Sequence, residues 1–270
     1  MNFDTIWHRY GHRPYKLRVH DHGGNGPVII LLHGIAASSA SWTNLIPFLT
    51  ANYRCITIDL LGFGDSPKPQ WNAYTMEDHL RSIHYTIRRL HLRRDYILAG
   101  HSLGSLLATA YARRWPRHIS RLLLLSPPIY APLDTITSKL ARQRTALFLS
   151  LYHFLRTHRR VTPANVKRLG RLVPLPKSIV RNPQTWMPFM RTLEHCIEQQ
   201  TIIDDLAALQ IPVDIFYGTL DKVLVPHNIR IIQQPNVTIQ TIRGANHDLG
   251  KRYAAVVAKH ILTELQPTHS

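Results

Sequence analysis

Tyr96-Ile-Leu-Ala-Gly100-His-Ser102-Leu-Gly104-Ser-Leu-Leu-Ala108 is the stretch from which the rest of the chain is read. An apolar run of strand character leads into Gly-x-Ser-x-Gly, and a run of helix formers follows. This order predicts a sharp strand-to-helix turn with Ser102 at its apex and its hydroxyl projecting away from the sheet. Side chains at 100 and 104 would clash in such a turn, so glycine stands at both positions. Ser105 and Ala108 are small enough to let the helix pack close to the strand. With 13 Gly in 270 residues, the bare pattern arises by chance in roughly 0.03 chains of this length. The flanking strand and helix therefore decide the reading, against an ordinary turn in a doubly wound sheet.

A serine hydroxyl is a weak nucleophile until a base takes its proton. The chain has 17 histidines, so position has to select one. His247, in Arg243-Gly-Ala-Asn-His247-Asp-Leu, falls between the last predicted strand and the last predicted helix. That puts it at the sheet edge where Ser102 would emerge. Asp221, in Gly218-Thr-Leu-Asp221-Lys-Val-Leu-Val-Pro226, follows the preceding strand and completes the order Ser, Asp, His. A carboxylate there would orient the imidazole and stabilise the imidazolium formed during attack. A turn or helix-capping aspartate is the plainer alternative. No acid competes from Leu125-Ser126-Pro127-Pro128. Two backbone donors would serve a developing oxyanion. Leu103 supplies one, and Ile35, in Leu31-Leu32-His33-Gly34-Ile35, the other. His33 reads as an organiser of that loop rather than as an acid or base.

Farther out, short apolar runs alternate with helix-length amphipathic stretches. Val28–Leu32, Cys55–Leu60, Tyr96–Ala99, Leu122–Leu125, Val213–Tyr217 and Val237–Ile242 read as strands, with antiparallel opening strands around Tyr15–Asp21. Ser39–Ala51, Met76–Leu92, Leu103–Trp115, Pro226–Gln234 and Gly250–Leu265 read as helices. The alternation predicts an α/β fold, a mostly parallel twisted sheet with helices on both faces. It stops after Ser126 and resumes at Ile211. The expected organisation is one core from residues 1–126 and 206–270, with 127–205 as a helical cap inserted at the sheet edge.

Charge is concentrated in that insertion. The chain carries 33 Lys+Arg against 16 Asp+Glu, and 12 of the cations lie between Thr135 and Leu193, where there is no acid. Anionic substrates, anionic lipid and nucleic acid all become candidate partners. No nucleic-acid module is visible, so no specific nucleic-acid partner is expected. The apolar segment Thr145–Leu155, followed by Arg156, Arg159 and Arg160, reads as a cap helix over the pocket. Weak peripheral contact with anionic lipid is its second reading. Two distant cysteines, Cys55 and Cys196, exclude a disulfide scaffold. With no signal-peptide-like or membrane-length apolar stretch, a cytoplasmic location is expected. His8 and His12 have helix-compatible metal spacing, but among so many histidines this is read as coincidence. Nothing in the sequence sets an oligomeric state.

Taken together, His33-Gly34, Asp59-Leu-Leu-Gly-Phe-Gly-Asp-Ser66, Gly100–Gly104, Asp221 and His247 resemble the α/β-hydrolase superfamily over essentially the whole chain. The resemblance implies a Ser102–Asp221–His247 triad, an oxyanion hole at Ile35 and Leu103, a cap near 127–205, no cofactor and no metal. Haloalkane dehalogenases and epoxide hydrolases place Asp where Ser102 stands. Haloperoxidase-like members carry Met then Gly-Gly after the serine, where this chain has Leu103-Gly104-Ser105. Carbon–carbon bond hydrolases of the meta-cleavage-product type usually place Asn at His101 and Trp at Asp248. A cap arginine such as Arg191 is then a candidate to hold a substrate carboxylate, against the plainer reading of a solvated arginine. The expectation is an esterase-like serine hydrolase of small or medium acyl substrates, anionic ones included. Two alternatives stay open, the carbon–carbon bond hydrolase and a hydrolase-fold receptor that binds a small hydrophobic signal with little turnover.

Overall fold

The structure, a computed structural model, describes residues 6–10, 13–157 and 183–264. Seven strands form one sheet: β1 (Val19–Asp21), β2 (Val28–Leu32), β3 (Arg54–Ile58), β4 (Tyr96–His101), β5 (Ile119–Leu125), β6 (Val213–Gly218) and β7 (Val237–Ile242). Their order is β1-β3-β2-β4-β5-β6-β7. Only the β1–β3 pair is antiparallel; every other neighbouring pair runs parallel. The α/β expectation holds, with one opening strand, three residues long, near the predicted Tyr15–Asp21.

The central strands are apolar at nearly every position because both faces of the sheet are covered. Alternate side chains divide between two cores. Ile30, Leu32, Leu98, Leu122, Leu124 and Ile215 join one, and Ile29, Leu31, Ile97, Leu123, Leu125 and Phe216 join the other.

The helices are α1 (Ile46–Leu49), α2 (Met76–Arg88), α3 (Leu103–Arg114), α4 (Lys139–Thr157), α5 (Trp186–Thr192), α6 (Ile202–Ala207), α7 (Pro226–Arg230) and α8 (Lys251–Glu264). Helix α2 opens on a reciprocal cap, in which Asp78 N–H donates to Thr75 Oγ1 and Thr75 N–H donates to Asp78 Oδ2. Its Ile83 and Ile87 pack into the same core as Leu103, Leu106 and Leu107 of α3, whereas Tyr253, Val257 and Ile261 of α8 fill the other.

The predicted helix Ser39–Ala51 is instead a 3-10 turn, Ser39–Trp42, followed by the one-turn α1. Trp42, Leu45, Ile46 and Leu49 do carry helical spacing and are all buried. Tertiary bonds override that periodicity, because Ser39 N–H donates to the Asp59 carboxylate and Asn44 Nδ2 donates to Leu249 O.

Between β5 and β6 the described residues hold helices and no strand. Helix α4 covers the apolar segment read from the sequence. Its apolar residues reach the surface as well as the interior, since Leu147 and Phe154 are exposed whereas Ala141 and Thr145 are buried. Arg159 and Arg160 lie outside the described residues.

Candidate active site

Parallel strands leave their C-terminal ends at one edge, and ligand sites of open α/β sheets form there. Ser102 follows β4, Asp221 follows β6 and His247 follows β7, so three residues distant in sequence meet at that edge. Ser102 sits at φ 52° and ψ −118°, a conformation few side chains adopt. The turn is held by Ser102 N–H donating to Leu125 O at 2.9 Å and by the Ser105 hydroxyl donating to Gly100 O at 2.7 Å. The two glycines are explained by space. A Cβ at Gly100 would lie 2.2 Å from Gly104 O, and one at Gly104 would lie 2.1 Å from Leu32 O.

His247 Nε2 lies 3.0 Å from Ser102 Oγ, and His247 Nδ1 lies 2.8 Å from Asp221 Oδ2. Asp221 Oδ1 accepts from Val223 N–H at 2.9 Å. Burial pushes the Asp221 carboxyl up, but the bond and charge of His247, the Val223 N–H and the neighbouring Ser126 outweigh it and hold the group below its ordinary value. An ionised carboxylate at that place keeps the proton on Nδ1 and leaves the Nε2 lone pair facing the serine hydroxyl. The line of contacts can therefore draw a proton from Ser102 Oγ.

The first loop is built to lie against this serine. A Cβ on Gly34 would be 3.2 Å from both Ser102 Cβ and His101 Nδ1, tighter than an ordinary contact, so glycine eases that approach. His33 is buried and bonded at both nitrogens; Nε2 accepts from Leu60 N–H at 2.9 Å, which leaves Nδ1–H to donate to Gly34 O at 2.7 Å. Burial lowers its pKa. Its role is structural, in line with the loop-organising expectation. Asp59 fastens the same loop from below. Its Oδ1 accepts from both N–H and Oγ–H of Ser39 at 2.6 Å, and its Oδ2 accepts from Asp65 N–H at 2.7 Å. The N–H of Leu103 opens α3 and has no intrahelical acceptor. Among the described residues neither it nor Ile35 N–H donates a backbone hydrogen bond.

Arg191 Nη1 donates to the carbonyls of Gln70 and Asn72, tying the α5 end to the loop before α2. The guanidinium thus has a structural task. His8 stacks on Tyr15 with ring centres 3.7 Å apart, and His12 lies outside the described residues. His20, Asp59 and Asp65 bring potential ligand atoms within 4.8 Å of one another, but Asp59 is already committed to the clamp just described.

Sequence reasoning missed two residues. Ser126, at φ 49° after β5, is among the groups that lower the Asp221 carboxyl and pairs with Tyr253 Oη at 3.2 Å. The sequence marks it only as a place where no acid stands. His101, next to Ser102, reaches across to the carbonyl of His247, with Nε2 to O at 2.8 Å. Its partner lies 146 residues away, so no local pattern pointed to it.

Comparison with known proteins agrees with the fold. A "Probable lysophospholipase BODYGUARD 2" of Arabidopsis thaliana is 39% identical over 107 residues, covering 38% of this chain and 23% of that protein. A haloalkane dehalogenase of Mesorhizobium japonicum is 36% identical over 103 residues, covering 38% of this chain and 33% of that one. The chain thus spans about a quarter to a third of these curated relatives. A bromoperoxidase from Bacillus anthracis superposes with a TM-score of 0.67 at 21% identity, covering 95% of this chain and 98% of that one. Residues 27–186, more than half of the chain, match the family described as alpha/beta hydrolase fold. The chain belongs to the alpha/beta hydrolase fold family.

Proposed function

We propose that the chain is a serine hydrolase that cleaves carboxylic esters of small or medium acyl substrates through an acyl-enzyme. The observation that carries the reading is the unbroken line from Asp221 Oδ2 through the His247 ring to Ser102 Oγ, at 2.8 and 3.0 Å. Ser102 Oγ attacks the ester carbonyl carbon while its proton passes to His247 Nε2. The N–H groups of Ile35 and Leu103 receive the oxyanion. His247 then hands its proton to the departing alcohol oxygen, leaving an acyl group on Ser102. Water enters, gives a proton to His247 and attacks the acyl carbon. Collapse returns the proton to Ser102 Oγ and releases the acid.

Serine in the turn favours this chemistry over that named for the dehalogenase relative, where the superfamily resemblance expects an aspartate nucleophile. The lysophospholipase name of the Arabidopsis relative is a reason to include lipid monoesters among the substrates tested. We assign residues 127–205 to a cap over the site. Helix α4 supports this, because Tyr152 of α4 pairs with Tyr130 at 3.0 Å, and Tyr130 Oη donates to Val223 O in the loop that carries Asp221. The cations of that segment would draw anionic esters toward the site.

The test is hydrolysis of a graded nitrophenyl ester panel, short to medium chain, by wild type and Ser102→Ala. Multiple turnovers that vanish in Ser102→Ala support the proposal. Turnover that survives the substitution refutes it, and one slow burst with retained product points to the receptor alternative.

A further inference from the structure

His101 is the residue before the nucleophile, and the triad does not use it. It lies at the end of β4, buried in the site wall, with its ring centre 5.1 Å from that of His247 and edge-on to Trp42 at 6.5 Å. Its Nε2 faces a carbonyl oxygen, so Nε2 bears the hydrogen and donates it to His247 O at 2.8 Å. The other ring nitrogen, Nδ1, has no hydrogen-bond partner among the described residues. The single directed bond of this side chain is therefore spent on the main chain of the residue read as the base.

The segment that carries His247 needs such a tie. It is an irregular loop between β7 and α8, pinned at its start where Leu220 N–H donates to Ala245 O at 2.9 Å. Gly218 lets it approach closely, since a Cβ there would be 2.2 Å from Ala245 O. At its end Asn44 Nδ2 donates to Leu249 O, and between these two ties no backbone–backbone hydrogen bond among the described residues fixes the His247 peptide to the sheet. The Asp221 carboxylate holds the far side of the imidazole, and the His101 bond holds the peptide behind it.

We propose that His101 is a positioning residue for the hydrolytic reaction, fixing the His247 peptide to the turn that presents Ser102 so that nucleophile and base keep one spacing. The inference rests on the serine-hydrolase reading above. A base loop tied to the residue adjoining the nucleophile moves with it, so small motions of α8 or of the cap leave the Ser102–His247 contact unchanged. The neutral ring suits the task. Burial, then the neighbouring His247, pushes the His101 pKa down to about 3, so no second cation opposes the imidazolium formed in turnover. Of the titratable groups packed around it, Asp221 favours its charged form, whereas His247 and His33 oppose it.

The experiment compares wild type, Ser102→Ala, His101→Leu, His101→Gln and His101→Asn on one nitrophenyl ester, with melting temperatures for each. A misplaced base costs about 100-fold in rate for about 1 Å of displacement. His101→Leu, which keeps bulk but has no donor, is expected to lose about 100-fold in kcat with KM little changed. Gln, whose amide nitrogen reaches the place of Nε2, is expected to restore most of that loss. Asn, which is shorter, is expected to stay about tenfold below Gln. If His101→Leu fails to fold, the Gln-to-Asn comparison still decides. Wild-type kcat in His101→Leu, or equal rates for folded Gln and Asn variants, overturns the inference while leaving the serine reading intact. Wild type that turns over no ester, or Ser102→Ala that matches it, overturns the reading and this inference with it.

Discussion

Asp221→Asn probes the part of the proposed triad that position alone assigned. The native carboxylate accepts on both oxygens, from Val223 N–H at 2.9 Å and from His247 Nδ1–H at 2.8 Å. An amide must put its oxygen on one of these donors and its NH2 on the other. Val223 N–H is fixed in the main chain and can only donate, so the amide oxygen stays there and the NH2 turns to His247. An NH2 group facing Nδ1 demands a lone pair on that nitrogen, so the ring proton moves to Nε2. Nε2–H then points at Ser102 Oγ as a donor and cannot take its proton. In the Ser-His-Asp template this tautomer reversal lowers kcat by about 10⁴, or about 5.4 kcal/mol in activation free energy. The space is unchanged, so folding should survive. The assay is steady-state ester hydrolysis beside a thermal melt, with Asp221→Ala as companion. A folded Asn variant within about tenfold of wild type would refute the assignment of Asp221.

Gly104→Ala would set a methyl carbon 2.1 Å from Leu32 O and 2.7 Å from His33 O, both main-chain atoms that cannot swing aside. Such overpacking costs about 3 kcal/mol, or roughly 6 °C or more in melting temperature for a chain of this size; an unchanged melt would sink this account of the glycine. Acid should also weaken the fold. Burial holds His79 at about 4 and His101 at about 3, against about 6.5 unfolded. The unfolded chain therefore binds the extra protons between these limits, so this stability is complete above about pH 6.5 and falls as pH drops toward the folded values. At pH 5 the two together cost about 4 kcal/mol, read as a lower urea midpoint than at pH 7.5; equal midpoints would contradict it. Finally, kcat/KM for an anionic ester should fall with added salt while that for its neutral analogue holds, since steering by the basic segment is screened. Identical salt responses would remove the steering role.

The elbow was legible because it is local. The Gly-x-Ser-x-Gly pattern and the strand and helix around it lie within one short stretch, although the Gly104 clash falls on Leu32 and His33 of another strand end. The strands that place the site carry apolar residues, continuously in β4 and in alternation in β7. Asp221 and His247 could be picked from their position in strand order, which depends on topology more than on contact. What was not legible depends on partners distant in sequence. The helical spacing of Trp42, Leu45, Ile46 and Leu49 was real, yet Asp59 and Leu249 dictate the backbone there. His101 looked like a departure from a family pattern, and its bond to the His247 carbonyl exists only once β4 and the β7–α8 loop meet. The structural tie of Arg191 was hidden because its carbonyl partners, Gln70 and Asn72, lie about 120 residues upstream.

The most direct test of the central claim is mass spectrometry of the chain after exposure to a fluorophosphonate, which reacts with an activated serine hydroxyl. The account predicts one adduct on the peptide that contains Ser102, lost in His247→Ala. No adduct on the folded protein, or an adduct on another residue, would contradict it.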